Sequence, residues 1–498
     1  MKNRLIRKSY QTNLNFMYKI DAVPYNQIQN GGVCVPENIK KRIKFIFAVL
    51  FFGFIIYAVV GLYPYTGSLY VSQQTRNAFC MDSFFGDRQI PERVMLLDDP
   101  WGSFIHRINV ISGAQDQIYM ATFSMHSGVT ADIIAGALLS AAERGVQVNV
   151  MANEVVGNMP RNLRSILAGH ENINVYGFNR LNLLRPQRIN ANFHDKYLIA
   201  DNTFMLLGGR NMGDKYYNPD CFTGRLSLDT EVLVYNTDPA HCGIISEVRE
   251  LFRAKAASSR ATPVAGRNHE AEKARLIGLY NTHNALHATD FDYFANTVPT
   301  NRITLITNDF EPNRKESIIA YNLKRIAMNS DTVIAMSPYL SMTASSIRHF
   351  AEMARGRDFT LVTNSLASTP NLPAFSSYYV SRRNILRTGI TIYEYQCTDT
   401  QLHGKVYLFD QRLTAIGSFN LNERSMRSDT ESMLVIDSPQ FFDIALASVN
   451  GYIASSLRVG ADNRYILCGY VEPARVPRGK RTLYIIAGHL LRGLRFMF

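Results

Sequence analysis

Cysteine is scarce, with six in 498 residues, too few for a scaffold built on disulfides. No Cys-x-x-Cys pair occurs, which removes the usual signature of a structural zinc module. Tryptophan occurs once, at Trp101, and the residues around it assign it no role. Charge is missing where a nucleic-acid groove would need it. The chain carries a net +12, but residues 1–44 hold +7 of it and residues 474–498 hold +6, leaving 45–473 at −1. A duplex-binding body would carry its cations itself. With 46% hydrophobic and 19% charged residues, the chain is neither disordered nor fibrous and is long enough for two or three packed domains.

Charge is wholly absent from Phe45 to Tyr63, FIFAVLFFGFIIYAVVGLY. A helix of that length spans about 28 Å, the thickness of a hydrocarbon core. No polar stripe marks a face turned to water, and Pro64 ends the run. These features predict a transmembrane helix at 45–63. Lys40, Lys41, Arg42 and Lys44 abut its start, whereas the 30 residues after it offer Arg76, Arg88 and Arg93. The asymmetry predicts a cytoplasmic basic segment (1–44) and a body outside the cytoplasm, in the cell membrane's outer compartment. The body's five cysteines would then meet an oxidising environment, with pairing open.

The body repeats itself. His194, Lys196, Asp201, Gly208 and Asn211 recur as His403, Lys405, Asp410, Gly417 and Asn420 with identical spacing, and both sets lead to an Asp-Thr-Glu, at 229–231 and 429–431. The flanks repeat too. Apolar strands at 117–123 and 331–337 precede helical patterns at 131–145 and 341–356, which stop at Gly145 and Gly356 before strands at 146–152 and 358–364. Strand–helix–strand units of this kind form parallel sheets. The expected fold is α/β: two similar lobes, 97–255 and 301–470, related by a pseudo-twofold axis. A linker (64–96), a connector (256–300) and a basic amphipathic tail (471–498) complete the chain.

On a strand, His194 and Lys196 would share a face, as would His403 and Lys405. If the lobes pack symmetrically, two His and two Lys converge. Lysines and the amides of Asn211 and Asn420 would donate to the oxygens of a phosphate. One neutral imidazole would attack phosphorus and the other would protonate the leaving alcohol. Glu231 and Glu431 would each accept a ring N–H. Asp201 and Asp410 fall near hairpin turns and read as structural. No metal or other cofactor is expected, since the lysines supply the positive charge.

These paired motifs resemble the phospholipase D superfamily, whose pattern H-x-K-x4-D-x6-G-S-x-N is met in full by HGKVYLFDQRLTAIGSFN (403–420). HDKYLIADNTFMLLGGRN (194–211) departs from it at Gly209, where Ser is expected, which leaves Ser418 as a polar substrate contact without a counterpart. Glu231 stands where many relatives carry Asp. GGRNMGDKYY (208–217), NSLASTPNLP (364–373) and GSFNLNERSMRSDTE (417–431) look like the bacterial cardiolipin synthase branch. The resemblance implies phosphatidyl transfer through a phosphohistidine, with His194 as nucleophile and His403 as acid/base, although spacing alone does not separate the two. The implied partners are phospholipids, phosphatidylglycerol foremost, and the membrane; nucleic acid is not expected. Water as acceptor would make a phospholipase, and a nucleic-acid backbone as substrate a nuclease.

The tail, KRTLYIIAGHLLRGLRFMF (480–498), has apolar residues at helical spacing with cations between them. It suits either an interfacial helix or a helix docked on the body. His106, His126, His170 and His269 lie outside the repeat and lack metal-ligand spacing.

Overall fold

The computed structural model describes residues 36–157, 159–267, 269–283, 290–310 and 315–497. Most of the basic N-terminal segment, residues 1–35, lies outside the described residues. The chain divides into two units, one ending at Ala58 and the other running from Val59 to the C-terminus.

Among the described residues, the first unit consists mainly of a helix, Glu37–Leu62, whose last four residues belong to the second unit. It starts eight residues before the uncharged run, because Lys and Arg propagate a helix well. Its apolar side chains, Phe45, Phe47, Phe52 and Phe54 among them, face outward. With its continuation to Tyr65 it is the one helix among the described residues long and apolar enough to cross a membrane, at a mean hydropathy of 2.7.

The second unit contains nineteen strands among the described residues. The first lobe supplies β1 (Glu92–Leu97), β2 (Gln117–Thr122), β3 (Gln147–Asn153), β4 (Ile173–Phe178), β5 (Tyr197–Ala200), β6 (Phe204–Gly208), β7 (Leu226–Leu228), β8 (Glu231–Asn236), β9 (Ala261–Pro263) and β10 (Val298–Pro299). The second supplies β11 (Arg302–Thr307), β12 (Thr332–Met336), β13 (Asp358–Asn364), β14 (Thr391–Tyr395), β15 (Thr400–Leu402), β16 (Val406–Phe409), β17 (Leu413–Gly417), β18 (Ser432–Asp437) and β19 (Ser456–Val459). One sheet is ordered β10-β1-β8-β6-β5-β2-β3-β4-β9, the other β11-β18-β17-β16-β12-β13-β14-β19. Without its edge strand β10, the first order is the second, strand for strand. The predicted strand–helix–strand units are parallel, β2 with β3 and β12 with β13. Their helices, Val129–Glu143 and Ala344–Ala354, stop before Gly145 (φ +93°) and Gly356 (φ +73°), where a side chain would strain the left-handed turn.

Alternation along the strands builds the core. Tyr197 and Ile199 of β5 and Val406 and Leu408 of β16 enter one apolar cluster shared by both sheets. Leu198 and Ala200 turn to the outer helices of the first lobe, and Tyr407 and Phe409 to those of the second. The two sheets therefore pack face to face, and central strands such as β5 and β16 are buried on both sides.

The segments read as linkers are parts of the lobes. β9 and β10 of the connector pair with β4 and β1, and the helix Glu270–Thr282 buries Leu276 and Tyr280 in the first lobe's core. Upstream, Phe84 is buried in the second lobe's core. The apolar anchors of these segments meet partners distant in sequence. In the tail, the helix Arg478–Leu490 buries Tyr484 and Gly488 while Leu483, Ile486 and Leu490 stay exposed. One face docks and the other is open. Among the described cysteines, Cys80, Cys221, Cys242, Cys397 and Cys468 are free.

Candidate active site

Both motifs sit in extended segments just before β5 and β16 rather than within them. The reason is that the backbone there pairs with the other lobe. Phe193 bridges to Thr430, the His194 N–H donates to Thr430 Oγ1 (3.1 Å), and the His403 N–H donates to the Leu228 carbonyl (2.7 Å). Beside this, β7 and β15 form a parallel pair across the lobes. Each histidine is thus delivered to the Asp-Thr-Glu segment of the opposite lobe.

A His194 ring nitrogen, Nδ1, lies 2.9 Å from Glu431 Oε2. His403 Nδ1 is hydrogen-bonded to Asp229. Both histidines are nearly buried, with side chains 12% and 7% exposed, so a carboxylate partner is their main polar contact. Lys196 Nζ donates to the His194 carbonyl (2.5 Å), and Lys405 Nζ donates to that of His403. Lys405 Nζ also stands 3.0 Å from His403 Nδ1. A nitrogen donating to Asp229 cannot accept there, so that contact acts through charge. Phe123 and Tyr216 pack edge-on against His194 and His403, at 5.0 and 5.4 Å between centroids.

Glu231 is not a histidine partner. Its carboxylate accepts from Arg107 Nη2 (2.6 Å), Arg210 Nε (3.0 Å) and Ser103 Oγ (2.5 Å). Two buried guanidinium groups claim it, and Asp229, two residues earlier, reaches His403 instead. Gly209 explains the room for this. A Cβ there would lie 2.4 Å from Asp229 Oδ1 and 2.9 Å from Lys405 Nζ, so the serine of the second motif would not fit.

Ser418 also differs from expectation. It is 1% exposed and donates to Glu431, which also accepts from Ser425 Oγ at 2.6 Å. Ser418 thereby holds the Glu431 carboxylate in place. Asn211 donates to the Tyr216 hydroxyl (3.0 Å). The Oδ1 atoms of Asn211 and Asn420 are buried without a partner, and either amide turned by 180° would offer an N–H there instead. Asp201 and Asp410 sit at hairpin turns with φ of +55° and +48°. Asp201 accepts from the backbone of Gln115, Asp116 and Gln117, and Asp410 from that of Asp331 and Thr332.

Three other groups escaped the sequence reading. Asp195, the middle residue of the first motif, is buried between Lys255 Nζ (2.8 Å), Thr430 and Ser432. Arg210 ties Glu231 to the Asp229 carbonyl (2.7 Å) and the Tyr216 carbonyl (2.7 Å). Asp229 was visible in the Asp-Thr-Glu, but nothing in the spacing chose between its two acids.

Burial dominates the electrostatics. It lowers His403 to about 4, helped by Lys405, and His194 well below the ordinary imidazole value, helped by Lys196. It lowers Lys196 to about 7 and raises Glu431 to about 8. For Asp229 burial is outweighed by Lys405 and His403, which hold it below the usual carboxylate range. Among the described residues, no group of three or more His, Cys, Asp and Glu could hold a metal ion. The arrangement offers two imidazoles on carboxylates, two ammonium groups and two amides around one site, which is equipment for attack at a phosphodiester.

Residues 108–255 and 323–450 match the family described as cardiolipin synthase, phospholipase D-like domain. The chain belongs to this family. Both matched segments carry one histidine–lysine motif. A protein of Helicobacter pylori (strain ATCC 700392 / 26695) of uncharacterised function is 27% identical over 400 residues, covering 70% of this chain and 76% of that protein. Cardiolipin synthase C of Escherichia coli (strain K12) is 25% identical over 387 residues, covering 69% and 80%. The fold is similar to that of phosphatidylserine synthase from Haemophilus influenzae Rd KW20, with a TM-score of 0.58 at 13% identity, over 81% of this chain and 95% of that one.

Proposed function

We propose that this protein is a membrane-anchored, cardiolipin synthase-like phosphatidyltransferase that uses phosphatidylglycerol as donor and acceptor. The observation that carries the reading is the crossed pairing of His194 with Glu431 and His403 with Asp229. In the first step the uncharged His194 attacks phosphorus through Nε2, the ring atom left free by Glu431. The bond from phosphorus to the glycerol headgroup breaks, and His403 gives that oxygen its proton. In the second step the hydroxyl of another phosphatidylglycerol attacks the phosphohistidine, His403 takes its proton, and cardiolipin and free His194 result. Ionised Asp229 stabilises the imidazolium that His403 must carry before transfer. Burial and the neighbouring Lys196 keep His194 uncharged, as a nucleophile must be. Lys196 and Lys405 balance the charge gathering on the phosphate.

The apolar helix, the cations before it and the family's lipid chemistry together favour a single span in the cell membrane with the N-terminus cytoplasmic and the body outside. The test is full-length protein in phosphatidylglycerol vesicles, following cardiolipin, glycerol and phosphatidic acid together. Cardiolipin and glycerol in equal amounts are expected. Phosphatidic acid as the main product at high lipid density would make the enzyme a phospholipase.

A further inference from the structure

The six residues 180–185, Arg-Leu-Asn-Leu-Leu-Arg, are all exposed. Leu181, Leu183 and Leu184 are 55%, 65% and 92% accessible, and three leucines so open within four residues are costly in water. No acid occurs between Glu171 and Asp195, whereas Arg180, Arg185 and Arg188 do. The tip is exposed but its base is held. Asn179, at φ +63°, donates from Nδ2 to the Arg188 carbonyl (2.8 Å) and to that of Ala191. Arg260 Nη2 donates to the same Ala191 carbonyl at 2.8 Å. Three residues past Ala191 is His194.

The loop is also tied to the end of the uncharged run and to a residue just past it. A Cβ on Gly61 would lie 3.0 Å from the Cβ of Pro186, and the Tyr65 hydroxyl donates to the Gln187 carbonyl. Exposed Tyr63 stands between them in sequence, the kind of side chain that settles at a membrane–water boundary. We infer that loop 180–188 is a bilayer-insertion element, its leucines seated among acyl chains and its arginines on anionic headgroups. This rests on the membrane-anchored reading and deepens it, because the element that enters the lipid surface runs straight into the candidate nucleophile.

The test is a Leu184→Trp variant of the full chain reconstituted in phosphatidylglycerol vesicles, with the emission of the parent, whose one tryptophan is Trp101, subtracted. A blue-shifted emission is expected, quenched about twofold more by lipids brominated near the headgroup end of the chain than by those brominated at its tip. Phosphatidylcholine vesicles should give a weaker shift, as should Arg180→Ala/Arg185→Ala in phosphatidylglycerol. Emission characteristic of water, with no quenching by either lipid, would overturn the assignment. So would a shift that follows protein concentration in detergent, since the leucines would then cover a protein surface. Fluorescence is read without turnover. Quenching in vesicles that yield no cardiolipin would keep the loop and reject the transferase, and cardiolipin without quenching would do the reverse.

Discussion

In the first lobe the Asp-Thr-Glu segment sends its aspartate across to His403 and keeps its glutamate for Arg107 and Arg210. In the second lobe the same segment sends its glutamate to His194, while its aspartate binds Arg424 of its own lobe and the backbone of Asn192 in the other. The sheets match strand for strand, so topology does not cause the difference. The residues after the motif glycine do. Gly209-Arg210 leaves space for Asp229 and pulls Glu231 away, whereas Ser418-Phe419 has no guanidinium and holds Glu431 through a hydroxyl. A duplicated backbone brings the same segments together. Which acid reaches the imidazole depends on neighbouring charge and volume.

The largest expected effects test whether the lobes share one site. His194→Ala and His403→Ala should each lower turnover by about 10⁴-fold, and the double variant should be scarcely worse, because groups acting as a unit are non-additive. Near-native turnover in either single variant would separate the lobes. Next, Asp229→Asn should cost about 10³-fold in turnover with little change in Tm, since His403 loses the charge that supports its cationic form. Glu231→Gln should instead destabilise by about 3 kcal/mol, because it leaves two buried guanidinium groups without their carboxylate. Denaturant unfolding and single-turnover assays on the pair would distinguish the two acids.

Smaller effects sharpen the comparison. Gly209→Ser, which copies the second motif into the first, should lower turnover by about 10²-fold as the new side chain displaces Asp229. Ser418→Ala removes one hydrogen bond to a carboxyl and should cost about tenfold. Smallest is a proton. His403 lies at about 4 and is neutral at pH 7. A bound phosphate anion favours the imidazolium, so binding should take up as much as one proton, rising as pH falls toward 6. Calorimetry of a non-reactive phosphodiester in two buffers of different ionisation enthalpy would measure it, and proton release would contradict the sign.

Much of the fold was legible because the repeat spans it. Two sets of five residues at equal spacing, flanked by matching strand–helix–strand units, imply two like lobes and a site between them. What stayed hidden was decided by contacts distant in sequence. Phe84, Leu276 and Tyr280 anchor segments whose composition reads as linker. Equal spacing implied equal use of Glu231 and Glu431, and that symmetry is broken by Arg210 together with Arg107, which reaches Glu231 from 124 residues away. Asp195 stands outside the repeated positions, and its partner Lys255 comes from 60 residues away.

The central claim is that the crossed pairs give the two histidines different work. It is tested most directly with a phosphodiester whose leaving group is acidic enough to depart without a proton, quenched in base within a single turnover and mapped by mass spectrometry. Attack by His194 requires the adduct on His194 in the wild type, its accumulation in His403→Ala, and its absence in His194→Ala. An adduct on His403, in the wild type or in His194→Ala, would contradict the assignment of roles to the two lobes.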